Sequence, residues 1–427
     1  MEALDYPVVK ETLFREVLPN GLEVYILPKA GFQKTYATFS TRFGSVDNCF
    51  SVGDEPLLRV PDGIAHFLEH KMFEEPTGDI FATFASQGAS ANAFTSFDRT
   101  VYLFSATEQI EANLETLINF VQHPYFTDDN VEKEKGIIEQ EINMYKDNPD
   151  WRVYTGLIDA MYQKHPVHID IAGSVESIRK IDKESLYKCY ETFYHPSNMM
   201  LFIVGGVNKD AIMELVRTNQ AAKTFPQIGS IRREIESEPQ QVKIPQKKST
   251  LPVSLPKCLF GFKEKEPASN SEQLQERDII SKLMLETLLG QSSELYQALY
   301  DDNLISDSFG FEYNSGNGYA FSIIGGETRD PDELLRRIRS SIESAIKDGI
   351  NESTFERTRR KRIGSYLRML NSPEAIANEF TRHKFRGGDL FELLPLFEQA
   401  TLEQVNNRMK EHFDWNQMAV SIVSRER

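Results

Sequence analysis

Cysteine is scarce in this chain of 427 residues: there are three, Cys49, Cys189 and Cys258, and none lies near another. That excludes a disulfide-stapled fold and a cysteine-built metal or redox centre, and it suits the reducing cytosol. Long apolar runs are missing as well. The longest, Met199 to Val207, is far too short to span a bilayer, and the first residues show no basic start leading into an apolar stretch. Neither a membrane anchor nor a signal peptide is therefore expected, and the expected location is cytoplasmic. There is no excess of basic charge either: 48 Lys and Arg stand against 64 Asp and Glu, a net charge of −16. This argues against a nucleic-acid partner and for simple solubility. The one basic run, Arg357-Thr-Arg-Arg-Lys-Arg362, falls in a helical pattern starting near Glu352 and reads as a solvated or partner-facing helix face.

What is present is ample apolar material, 40% of residues with 28 Phe, on a length that exceeds one ordinary core. Residues 22–27 and 35–43 alternate like strands. Helical patterns follow over 81–87, 108–122, 127–145 and 151–163, with strands at 91–97 and 100–106 around a turn at Asp98-Arg99, and a strand at 200–205. Residues 226–250 have linker composition, charged and rich in Gln and Lys. The order then recurs: strand 258–262, helix 276–289, a hairpin over 307–324, helices 331–347 and 352–369, and strand 418–423. The expected division is 1–226, a linker over 227–252, and 253–427, as a duplicated α+β unit. Val131–Glu139 aligns with Phe355–Ile363, each opening a helix after polar residues.

His66-Phe67-Leu68-Glu69-His70 carries the chemistry. Two imidazoles four residues apart on a helix share a face and can reach one metal ion. Glu69 is placed to touch a water on that metal, so the set supplies two ligands and a base, in the H-x-x-E-H order known among metallopeptidases. Pro61-Asp62-Gly63 ahead of it is a break with an acidic residue suited to a helix start. A third ligand is needed. Glu134 and Glu141, seven apart on the 127–145 helix, lie on one face, so that one could bind metal while the other holds a His ring or the ligating carboxylate. Glu132 and Glu139 belong to the same helix, and a solvated acidic face is the competing reading. In the aligned second half the two positions are Thr358 and Ser365, so only the first copy carries metal-type residues.

His66-Phe-Leu-Glu-His70, Ser90-Ala-Asn-Ala-Phe-Thr95 and Glu134-x6-Glu141 together resemble the insulinase- or pitrilysin-type (M16) zinc metallopeptidases, in the half-size form that includes mitochondrial processing peptidase subunits. The resemblance implies Zn2+ as cofactor, His66, His70 and Glu141 as ligands (with Glu139 the competing third), Glu69 as general base and Glu134 as the supporting acid. It also implies that the strand with Asn92, Ala93 and Phe94 pairs with an extended substrate backbone. The implied fold is α+β, two homologous domains, each an antiparallel sheet of about six strands with helices on one side, facing each other across a cleft. His165-Pro166 matches a family stretch but reads as cleft-lining or structural, and His123, His168, His195, His383 and His412 read as structural.

Active relatives also place an Arg and a Tyr of the second half opposite the zinc. The matching region here, Leu299–Ser306, lacks them: no Arg occurs between Arg277 and Arg329, Ser306 stands near the Tyr position, and Tyr300 and Tyr313 are wrongly ordered. The implied enzyme is an endopeptidase for short or unfolded peptides, working as the zinc-bearing subunit of a heterodimer whose zinc-less partner supplies those contacts. A self-sufficient homodimer and a structural or peptide-binding subunit are the alternatives.

Overall fold

In a computed structural model, which describes residues 1–76, 78–268 and 270–426, the strands Thr35–Thr41 and Met199–Gly205 are buried along their whole length. A strand of that kind needs cover on both faces. It lies at the middle of a seven-stranded sheet whose spatial order is Glu2–Tyr6, Glu11–Val17, Glu23–Pro28, Met199–Gly205, Thr35–Thr41, Thr100–Ala106 and Ser90–Thr95. All pairs are antiparallel except Met199–Gly205 with Glu23–Pro28. On one face Val24, Ile26, Phe39, Tyr102, Leu201 and Ile203 pack into a core with helices Ile64–Met72, Ile110–Val121 and Lys209–Ala221.

The alternate residues of the same strands are covered by a segment from near the end of the sequence. Phe380, on helix Pro373–Phe385, is fully buried; it stacks on Phe202 with ring centroids 4.5 Å apart and meets Tyr25 edge-on at 5.0 Å. The first compact unit accordingly comprises residues 1–142, 170–234 and 367–392, and the second 143–169, 235–366 and 393–427. In the second, helix Pro149–Met161 packs on strands Met418–Ser424 and Lys257–Phe262. Gly156 makes that approach possible, since a Cβ there would stand 2.7 Å from Ser421 Oγ. Each unit is thus completed by a helix whose place in the sequence lies between segments of the other.

The second unit's sheet has five strands in the order Gln246–Thr250, Met418–Ser424, Lys257–Phe262, Tyr319–Glu327, Gly310–Gly316. Its one parallel pair, Gln246–Thr250 with Met418–Ser424, corresponds to Glu23–Pro28 with Met199–Gly205. The remaining three pairs correspond strand for strand to the first sheet. This is the repeat expected from the element order, with two further strands added on the first sheet.

The stretch read as linker contains two strands. Ile231–Arg233 pairs with Cys49–Val52, and Gln246–Thr250 forms the sheet edge. Gln246–Thr250 is polar because an edge strand is held by main-chain pairing, whereas in the short Ile231–Arg233 strand Ile231 packs on the core and Arg233 pairs with Asp47. Among the described residues no helix is long and apolar enough to cross a membrane.

Because Phe380 fills a closed space between two aromatic rings, Phe380→Ala should cost about 3–5 kcal/mol in chemical denaturation. Leu367→Ala, at a side chain 42% exposed in the same segment, should change stability by no more than about 0.5 kcal/mol.

Candidate metal centre

The motif helix, Ile64–Met72, begins at Gly63 rather than at a side-chain cap: Gly63 takes φ +89°, and Asp62 accepts a hydrogen bond from Asn48 Nδ2 at 2.8 Å. Glycine is required here, because a Cβ would stand 2.4 Å from the Ala172 carbonyl oxygen. Phe67 and Leu68 are fully buried in the core, which turns His66, Glu69 and His70 the other way. The second contributor, Asp128–Lys146, is fixed by buried Val131, Ile138 and Ile142.

Between these helices His66, His70 and Glu141 each offer a ligand atom, all within 4.8 Å of one another. Glu141 Oε1 is 3.6 Å from His66 Nε2, and Oε2 is 3.5 Å from His70 Nε2. Glu134 stands behind His70, 3.0 Å from Nδ1. A carboxylate there accepts a hydrogen bond from Nδ1–H, the tautomer that leaves the Nε2 lone pair on the side of Glu141 and His66. His66 Nδ1 is buried without a hydrogen-bond partner. Burial, aided by the neighbouring His70, pushes the His66 pKa down to about 3, so this ring is a neutral nitrogen donor at any ordinary pH. At His70 burial acts downward too, but the Glu134 hydrogen bond and the charges of Glu69, Glu141 and Glu134 outweigh it and leave the pKa raised. Two nitrogens and a carboxylate on a partly buried face fit zinc, which in catalytic sites takes three protein ligands.

Glu69 is buried beside this set, its carboxylate accepting from Thr95 Oγ1 at 2.7 Å and from the Thr95 main-chain N–H. Burial raises its pKa and the charge of Glu141 adds to that, while Thr95 and His70 only partly offset them. Sequence reasoning assigned Asn92, Ala93 and Phe94 of this strand and passed over Thr95; the signal was there in the same Asn-Ala-x-Thr match. Strand Ser90–Thr95 is the edge of its sheet. Ser96 N–H donates to Arg99 O at the turn, so ladder alternation leaves the main-chain groups of Ala91, Ala93 and Thr95 facing the open side. At that edge Ala93 N–H is held by Asn92 Oδ1 at 2.9 Å.

The other acids of the helix are engaged elsewhere. Glu139 pairs with Arg179 at 3.1 Å, and Glu132 pairs with Lys135. His165 is satisfied inside the second unit: Nδ1 accepts from Val167 N–H and Nε2 lies 2.9 Å from Asn317 O. In the region expected to hold the Arg and Tyr, Ser306 pairs with Ser308, Tyr300 is exposed, and Tyr313 is buried against Glu264.

Two family models match, “Insulinase (Peptidase family M16)” over residues 60–175 and “Peptidase M16 inactive domain” over 180–362. The uncharacterized zinc protease YmfH of Bacillus subtilis (strain 168) is 51% identical over 424 residues, covering 99% of each chain. The chain belongs to the M16 peptidase family. A crystal structure of an M16-like peptidase from Alicyclobacillus acidocaldarius matches over 100% of both chains at TM-score 0.95 and 42% identity. A protease from Helicobacter pylori shares the fold at TM-score 0.81 and 20% identity, covering 96% of this chain and 99% of that one. The M16 fold is thus present in full, both halves included.

With His66 neutral, zinc binding below the raised pKa of His70 should release one imidazole proton. Affinity, measured by chelator competition, should fall about tenfold per pH unit as pH drops through the raised pKa of His70; a hundredfold slope would mean that both rings are protonated. Glu134→Gln should weaken zinc by about 10–100-fold.

Proposed function

We propose that this chain is a zinc-dependent endopeptidase acting on short or unfolded peptides. The observation that carries the reading is the convergence of His66, His70 and Glu141 with a buried carboxyl, Glu69, beside them. In this reading the three residues hold zinc, and Glu134 fixes His70. When bound, zinc supplies Lewis acidity, polarising a peptide carbonyl and lowering the pKa of water towards about 7.

The chain's own residues do the rest. A substrate segment adds to the open edge of Ser90–Thr95 as an extra strand, its main chain held by Ala91 and Ala93, with Asn92 released from the Ala93 N–H. Phe94 anchors the strand on the opposite, paired side. Glu69 takes the proton of the attacking water and later gives it to the departing amine, and its raised pKa places it closer to the range in which both transfers are effective. Thr95 keeps that carboxylate in one orientation.

The absence of arginine between Arg277 and Arg329 favours a heterodimer, in which a homologous zinc-less subunit supplies the cationic substrate contacts. Three free thiols accord with work in the cytoplasm.

Glu69→Gln should retain stoichiometric zinc and lose cleavage of a fluorogenic peptide by at least about 10²–10⁴-fold, while His66→Ala should lose metal and cleavage together. Unchanged turnover in Glu69→Gln would overturn the assignment. Addition of the partner subunit should raise the activity of the isolated chain; full activity in a single-species preparation would overturn the heterodimer.

A further inference from the structure

Thr95 is the last residue of its strand, and the turn that follows, Ser96-Phe97-Asp98-Arg99, is clamped from two sides. On one side the main chain closes on it: Ser45 N–H donates to Ser96 O at 3.0 Å and Val46 N–H to Phe97 O at 3.1 Å. Gly44 is so close that a Cβ would stand 2.4 Å from the Phe97 carbonyl. On the other side stands a charge cluster. Asp98 Oδ1 accepts from Ser96 Oγ at 3.1 Å and Arg99 Nη1 at 2.6 Å. Asp98 Oδ2 accepts from Arg386 Nε at 2.9 Å and forms an ion pair with Nη2 at 2.9 Å. Burial opposes the Asp98 charge, but Arg386 and Arg99 outweigh it and hold the carboxyl well below the usual range, so the pair stays charged.

Arg386 follows helix Pro373–Phe385 and lies 288 residues from its partner. That helix is seated on the sheet through Phe380, and Arg42 lies over the Phe385 ring at 5.0 Å. The position of the turn, and with it of Thr95 three residues earlier, is therefore referred to a rigid helix and not to the hairpin alone. The other holds on Thr95 are local: its ladder with Thr100–Ala106 and a 3.4 Å contact between its hydroxyl and Thr100 Oγ1.

We propose that Arg386 is a positioning residue for Glu69: by anchoring Asp98 it fixes Thr95, and Thr95 fixes the carboxylate that moves the proton. This rests on the reading of Glu69 as the base. A misplacement of the order of 1 Å at such a group costs about a hundredfold in rate, so the effect is measurable.

The test compares Arg386→Gln, Arg386→Lys, Thr95→Val and the Arg386→Gln/Thr95→Val double variant in the full zinc-loaded chain, with its partner where cleavage requires one. Zinc content, Tm, kcat, KM and amide hydrogen exchange across Ser90–Ala106 are read for each. Arg386→Gln should keep zinc, lower kcat by about tenfold to a hundredfold with KM changed less than about twofold, and speed exchange in the hairpin. Arg386→Lys should recover part of kcat. In the Thr95→Val background, Arg386→Gln should remove little more. Multiplying losses in the double variant, or a drop in Tm with kcat unchanged, would overturn the inference and leave Arg386 as a structural clamp. Wild-type cleavage that does not depend on Glu69 would overturn the reading of the base, and this inference with it.

Discussion

Glu69, Glu134 and Glu141 surround one imidazole, and the rest of the first unit is organised around holding that concentration of negative charge together. Glu134 and Glu141 lie 3.0 and 3.5 Å from the two nitrogens of His70. Among the described residues no Lys or Arg forms an ion pair with any of the three acids. Lys71, two residues from Glu69, is committed to Glu74, and Lys135, next to Glu134, to Glu132. Carboxylates brought this close in a partly buried place repel one another unless a cation joins them. In the metal-free molecule a proton on His70 serves, which is why its pKa is raised against the pull of burial. A divalent ion, as proposed, would serve better, because Glu141 and both rings each offer it a ligand atom.

That demand explains the rigidity of the supports. Gly63 and Gly173 both take positive φ where the motif helix meets the 172–173 backbone, so the helix start is set by close main-chain contact and not by an adaptable cap. Phe67 and Leu68 lock the opposite face of the helix. Candidate ligands that must be held within about 0.5 Å of a productive geometry need this kind of backing, since side-chain entropy would otherwise compete with every ligand bond.

What could be read from the sequence divides along the same line. The imidazole pair, the two acids and the hairpin each leave a short-range signature, a spacing on one helix or an alternation on one strand. Arg386 on Asp98, 288 residues apart, leaves none, because it depends on where a distant segment packs. The strands Ile231–Arg233 and Gln246–Thr250 were hidden for another reason: the first is three residues long and the second is a polar edge strand, so neither carries an apolar pattern. The exchange of helices Pro149–Met161 and Pro373–Phe385 between units is a matter of tertiary fit, invisible to periodicity.

The duplication turns this into an internal comparison. Val131 and Phe355 are the buried fourth residues of their helices, and Glu134 and Thr358 the buried seventh, so one scaffold position carries an acid in the first unit and a hydroxyl in the second. The second unit also buries an acid beside an imidazole: Glu264 lies 2.6 Å from His412 Nδ1. There, however, Arg408 pairs with the same carboxylate and Tyr313 caps it, and although burial opposes its charge, His412 and Arg408 hold Glu264 down to about 2. That network is closed: each charge has a protein partner, and His412 Nε2 is taken by Ser322. The first unit builds a similar acid–imidazole contact and omits the arginine. Deleting one partner from a buried charge cluster is costly unless something outside the chain replaces it. A site that keeps three acids and two imidazoles with no lysine or arginine paired to them is what the proposed metal would complete.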